Sequence, residues 1–286
     1  MRRGVRTITG YIALAAAGIL GILICLPVLM VLSGSLADGI EWTGRMRPLL
    51  DDGGGYIQWK WIPDFPTLLH YQELLFYTPS FLKLFWNSIK IAVFVLGGQL
   101  LVGIPGAWAF AAYDFKGKNL LFTLYVVLMF LPFQVMLLAR YLALSNTGLI
   151  NTHGAVILPA IFSTFPVFLM YRGFCRIPGE FLEMARLEGA GEWNIFRHIG
   201  LPLGDDSIRA AFILSFFEVW NMMEEPLAFL KDMSLWPLSL YLPEIRIDQA
   251  GRSFAASVVT LTVSLFFFGM FRESMEQGIV AQTMKG

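Results

Sequence analysis

Four polar residues, Ser215, Glu218, Asn221 and Glu225, recur at three- and four-residue intervals inside the apolar run 208–230, and on one helix they share a face. Carboxylate and amide groups spaced in this way can hydrogen-bond the hydroxyls of a polar solute, or pair with polar groups of a neighbouring chain. A carboxylate in the middle of such a run, as Glu218 is, costs too much against hydrocarbon and belongs beside a partner or a wet path. Both readings are open from the residues alone. Trp220 falls off that face and reads as packing.

Nothing else in the chain is arranged for bond-breaking chemistry. The acidic pairs Asp51-Asp52, Asp205-Asp206 and Glu224-Glu225 are sequence neighbours, and neighbours on a helix point about 100° apart, so they make no acid/base pair by themselves. His70, His153 and His198 lie far apart without ligand spacing and read as surface or interface residues. Cys25 and Cys175 fall in distant segments and imply neither a disulfide nor a metal site. A G-x-x-x-x-G-K-[ST] phosphate loop is missing, so ATP hydrolysis, where it enters, belongs to another chain. The expectation is a protein that is no enzyme and holds no metal or cofactor.

The elements that must position the polar groups follow from composition. Of 286 residues 56% are hydrophobic and 15% charged, the net charge is zero, and the mean hydropathy is +0.63, too apolar for a soluble domain. This is an integral membrane protein, and its neutral charge gives no argument for a nucleic-acid partner. A bilayer core takes roughly 20 apolar residues per helix. Six runs qualify, at about 11–32, 89–112, 120–138, 155–171, 208–230 and 254–271, which predicts an all-α, six-span chain forming one membrane domain. Pro159 and Pro166 make the fourth the least regular, and Gly97, Gly98, Gly103, Pro105 and Gly106 fit the second for close helix packing.

Arg2, Arg3 and Arg6 precede the first run, whose length exceeds a signal-peptide core and reads as an uncleaved span. These arginines, with Lys116 and Lys118 in the link 113–119, place the N-terminus, that link and, by an even number of crossings, the C-terminus in the cytoplasm. The long segment 33–88, with Trp42, Trp59, Trp61 and Gly53-Gly54-Gly55, is expected as a loop at the outer face.

Between the fourth and fifth runs lies a charged connector, 177–202. Pro178-Gly179 opens a short helix on which Phe181, Met184 and Ala185 share a face, and Glu183 can pair with Arg186 three residues on. Gly189 breaks it where the backbone needs positive φ or another chain comes close, and Glu192 to His198 can form a second short helix. The segment is predicted as a helix-turn-helix knob outside the membrane.

The knob contains Glu183-Met184-Ala185, three residues, Gly189, nine residues, then Ile199, Gly200, Leu201 and Pro202. It resembles the coupling loop of binding-protein-dependent ABC importer permeases, whose pattern is Glu-Ala-Ala, three residues, Gly, nine residues, Ile, any residue, Leu-Pro. Met184 and Glu188 are the departures, standing for Ala and Asp. Weaker likenesses in the same order extend over most of the chain and point to the carbohydrate branch typified by the second permease subunit of maltose importers. They include Trp86-Asn87-Ser88, Phe115-Lys116-Gly117-Lys118, Thr147 to Thr152, Trp220-Asn221 with Pro226-Leu227, and Gln277-Gly278 with Lys285-Gly286. Glu224 and Glu225 depart from the apolar residues expected before Pro226.

The resemblance implies a type I importer permease fold in a bacterial inner membrane. It implies partnership with a second permease, two cytoplasmic ATP-binding subunits and an extracytoplasmic solute-binding protein, and a carbohydrate or related solute. Glu183, Met184, Ala185, Glu188, Gly189, Ala190, Ile199, Leu201 and Pro202 would then couple the chain to the ATPases. The polar stripe would line the solute's path or the interface with the partner permease. An ATP-independent carrier or channel, and the same fold serving a non-sugar solute, are the alternatives.

Overall fold

The computed structural model describes residues 2–50, 55–241 and 250–283. Asp51-Asp52, Gly53-Gly54 and Lys285-Gly286 therefore lie outside the described residues. In chain order the helices are α1 (Arg2–Leu36), α2 (Gly39–Leu50), α3 (Leu69–Phe76), α4 (Pro79–Ala112), α5 (Lys118–Met129), α6 (Phe133–Asn146), α7 (His153–Ile161), α8 (Thr164–Phe174), α9 (Gly179–Leu187), α10 (Glu192–Ile195), α11 (Leu201–Trp220), α12 (Glu224–Phe229) and α13 (Ala250–Thr283). Among the described residues no strand forms beyond one isolated antiparallel bridge, Ala37 to Pro66.

Among the described residues four stretches are long and apolar enough to cross a membrane: Leu14–Leu36, Pro79–Ala112, His153–Phe174 and Ala250–Arg272. The α5–α6 pair adds a fifth if its 105° bend belongs to one span. The expected third run, 120–138, is thus not one rod. Pro132 cannot continue the helical ladder and drives the residue before it out of the α region, so α5 stops at Met129 and α6 starts afresh at Phe133. The fifth run differs too. Its helix starts earlier and ends at Trp220, and α12 is separate, while Asp205, Asp206, Arg209 and Glu218 keep α11 out of the strongly apolar set.

The chain divides into two compact units, one running to Phe81 and joined by α13 up to Val263, the other comprising Leu82–Tyr241 and α13 from Ser264. In the first, the segment after α1 is structured rather than a plain loop. Trp42 is fully buried, stacks on Phe254 at 4.9 Å and meets Trp59 edge-on, while its indole N–H donates to the Gly34 carbonyl at 3.1 Å. Arg252 pairs with Glu73 at 2.7 Å. His70, expected at a surface or an interface, is buried within its own unit, with Nε2 3.0 Å from the Ala37 carbonyl oxygen and Gly251 packed over its ring. Only glycine at 251 leaves room for it.

In the second unit the helices come together at small residues. Gly98 of α4 lies against Ile161, and Gly103 against Val167 and Met170. Gly173 on α8 faces Ser207 on α11, and Gly204 on α11 receives the Phe174 ring, so each helix offers a glycine to a side chain of the other. Asn151, the one described non-glycine residue at positive φ (63°), ties the turn before α7 to the segment after α12: its Oδ1 accepts the Lys231 and Asp232 N–H groups at 2.8 Å each.

Candidate functional site

The connector is built from its turn outward. Pro178, extended at φ −60° and ψ 130°, starts α9, whose Leu182 and Ala185 turn into a cluster with Trp108, Met170, Phe174, Ile195, Phe196 and Ala211. The inward face is therefore Leu182 with Ala185, while Phe181 and Met184, expected beside Ala185, are more than half exposed. Leu187 and Trp193 are also exposed, at 88% and 68%, so the knob offers solvent an apolar surface that none of the described residues covers.

At the C-terminus of α9 the Gly189 N–H reaches the Arg186 carbonyl at 3.0 Å and the Ala190 N–H reaches the Ala185 carbonyl at 2.9 Å. That crossed pair is a Schellman motif, and it requires the left-handed backbone that Gly189 supplies at φ +83°. No atom lies within 4 Å of where a Cβ would stand, so within this chain Gly189 is needed for its φ and not for room.

Across the turn Arg186 donates to both carboxylate oxygens of Glu192, at 2.8 and 3.3 Å. The pairing of Arg186 with Glu183 is therefore replaced by one with Glu192, because the Gly189 reversal brings α10 back alongside the last turn of α9. The Arg186 bond holds the Glu192 carboxyl below its ordinary range, and the Tyr113 hydroxyl joins the same carboxylate from the end of α4. Burial pushes the Tyr113 phenol up.

The second helix of the knob is not separate. α10 passes through a π turn, Phe196–Gly200, directly into α11. Pro202 has no N–H for the carbonyl four residues back, and just before it the ladder widens so that the Leu201 N–H bonds the Phe196 carbonyl. Trp108 packs edge-on against Phe174 at 5.3 Å and near Phe196 at 5.7 Å, and a Cβ on Gly200 would come within 2.7 Å of its ring. Ile199 and Leu201 line the same cluster, whereas Glu183, Glu188 and Pro202 are exposed. The knob and α11 thus form one continuous helical run from Glu192 to Trp220.

The polar stripe divides. Glu218 and Glu225 line one cavity of about 380 Å³ with Gln99, Met136, Arg140 and Met222 among its walls. Glu225 comes to it from α12, not α11, and lies 3.7 Å from the Arg140 guanidinium, which sits 5.8 Å over the Phe133 ring. Ser215 is buried and faces a small space beside Gln99. Asn221 caps the end of α11 outside the cavity wall, its Nδ2 donating to the Phe217 carbonyl at 2.9 Å. Trp220 is buried, stacked on Phe216 and edge-on to Phe85. Gln99 and Arg140 were absent from the sequence-level site, although a lone amide or guanidinium beside apolar runs is itself a signal.

Residues 100–274 match the family described as binding-protein-dependent transport system inner membrane component. The chain belongs to that family. The permease is 31% identical over 206 residues to the arabinooligosaccharides transport system permease protein AraQ of Halalkalibacterium halodurans, covering 71% of this chain and 74% of the relative. It is 30% identical over 200 residues to the lactose transport system permease protein LacG of Rhizobium radiobacter, covering 67% and 72%. Its fold matches a chain of a bacterial ABC transporter involved in the import of the acidic polysaccharide alginate, with a TM-score of 0.78 over 93% of this chain and 96% of that one at 18% identity. The permease is a multi-pass inner-membrane component of an ABC importer and not its catalytic subunit.

Proposed function

We propose that this permease forms half of the path for a carbohydrate or related solute and takes its drive from two cytoplasmic ATP-binding subunits through the knob 177–202, with both termini cytoplasmic. A second, different permease completes the membrane pore, and an extracytoplasmic binding protein delivers the solute. The observation that carries the reading is the knob: exposed apolar side chains on a stiff, Schellman-closed turn that continues without interruption into α11. Relatives named for arabinooligosaccharides and lactose support the solute class. Closure of the ATPases would then rock α11 through the π turn and alternate the access of the cavity.

Glu183 is exposed, and its expected partner Arg186 is engaged by Glu192, which leaves the carboxylate for a basic group of the ATPase. An exposed pair is worth about 0–1 kcal/mol, whereas removing one partner from a desolvated docking pair costs roughly 2–5 kcal/mol. Glu183→Ala is therefore expected to strip the ATP-binding subunit from the purified complex. Unchanged co-purification across a salt series would count against the docking role.

The split of the stripe supports different roles for its members. Glu218 belongs to the wet path and Asn221, outside the cavity wall, to the contact with the second permease. In a background with Cys25 and Cys175 replaced, Glu218→Cys is expected to react with a water-soluble thiol reagent in at least one nucleotide state. Asn221→Cys is expected to cross-link to the partner permease. Labelling of both only by a lipid-soluble probe would overturn the assignment.

A further inference from the structure

We propose that the cavity walled by Gln99, Arg140, Glu218 and Glu225 admits neutral or positively charged hydroxylated solute units and turns away anionic ones, with Glu218 deciding. The proposal rests on the reading that this cavity belongs to the solute's path.

The argument starts from which polar groups are already used. Gln99 is 5% exposed; its Nε2 donates to the Ala160 carbonyl at 2.9 Å, and its Oε1 is buried with no hydrogen-bond partner. That oxygen is enclosed by the protein, so the acceptors open to a solute are the Glu218 and Glu225 carboxylates. Arg140, the one cation in the wall among the described residues, is shared with Glu225 and lies over Phe133. Among the described residues Glu218 has no ion-pair partner, so the wall holds two carboxyl groups and one guanidinium, a formal excess of one acid.

The unspent capacity is thus weighted to acceptors. Hydroxyl and ammonium groups donate to acceptors; a carboxylate or phosphate on the solute brings only more acceptors and like charge. The remaining wall is largely apolar, with Leu128, Phe162 and Phe165 among it, and low-dielectric walls strengthen the field of the acid that Arg140 does not offset. Discrimination by charge follows from that focusing.

The test uses the assembled complex with Cys25 and Cys175 replaced by serine and Met222→Cys as reporter in the cavity wall. Its probes are two methanethiosulfonates of similar size, one bearing trimethylammonium and one sulfonate, each rate normalised to that of a small free thiol. The cationic probe is expected to react about tenfold faster after normalisation, the low end of field focusing in a charged cleft. Glu218→Gln is expected to bring the ratio near one, and Glu218→Asp to keep it. A normalised ratio near one with Glu218 present, or one that Glu218→Gln leaves unchanged, overturns the discrimination while leaving the path reading intact. Failure of both probes to reach position 222 in every nucleotide state overturns the path reading and this proposal with it.

Discussion

Gly189→Val is expected to abolish solute-stimulated ATP hydrolysis and uptake while leaving the chain inserted in the membrane. The turn holds residue 189 at φ +83°. A β-branched side chain there pays the left-handed penalty of about 1–2 kcal/mol, and the cheaper response is to open the two crossed hydrogen bonds that close α9. With the turn open, the Arg186–Glu192 pair that ties α9 to α10 loses its geometry, and the knob no longer moves as one piece with α11. Gly189→Asn separates the possible causes, since asparagine tolerates the left-handed region. If φ is what matters, Asn retains most coupling; if the ATPase needs the space of the missing Cβ, Asn fails as Val does. Normal uptake and stimulated ATP hydrolysis in Gly189→Val would show that the turn is no lever.

Gly173→Ala is expected to lower the stability of the purified complex by about 1–3 kcal/mol, the usual cost of overpacking a close contact. A Cβ at 173 overlaps both Oγ and Cβ of Ser207 across the α8–α11 contact, and the latter atom cannot rotate out of the way. Ser207→Gly in the same chain is expected to restore much of the loss. Gly97→Ala serves as control, because nothing lies within 4 Å of a Cβ there, and alanine is the better helix former. A melting temperature unchanged by Gly173→Ala would mean that the two helices have room to part. Because α11 carries Glu218 and continues from the knob, parting them is also expected to weaken coupling.

The sequence by itself determined that the chain is helical and apolar enough for a membrane, that a charged connector interrupts it, and that the connector's first helix breaks at Gly189. Hydrophobic run length and the punctuation of Pro178, Gly189 and Pro202 are local signals, and local backbone physics reads them without neighbours. The breaks at Pro132 and after Trp220 were missed because run hydropathy is blind to the direction of the chain: a bent pair and a straight rod of the same composition score alike. Only the tertiary structure decided which charges meet. Arg186 stands three residues from Glu183 and six from Glu192, and helical spacing favours the nearer pair; the reversal at Gly189 brings the farther one into bonding distance. The same holds for the cavity, where Gln99, Arg140, Glu218 and Glu225 come from four different helices. A period of 3.6 residues can align side chains along one helix, but it carries no information about which faces of separate helices enclose a common space.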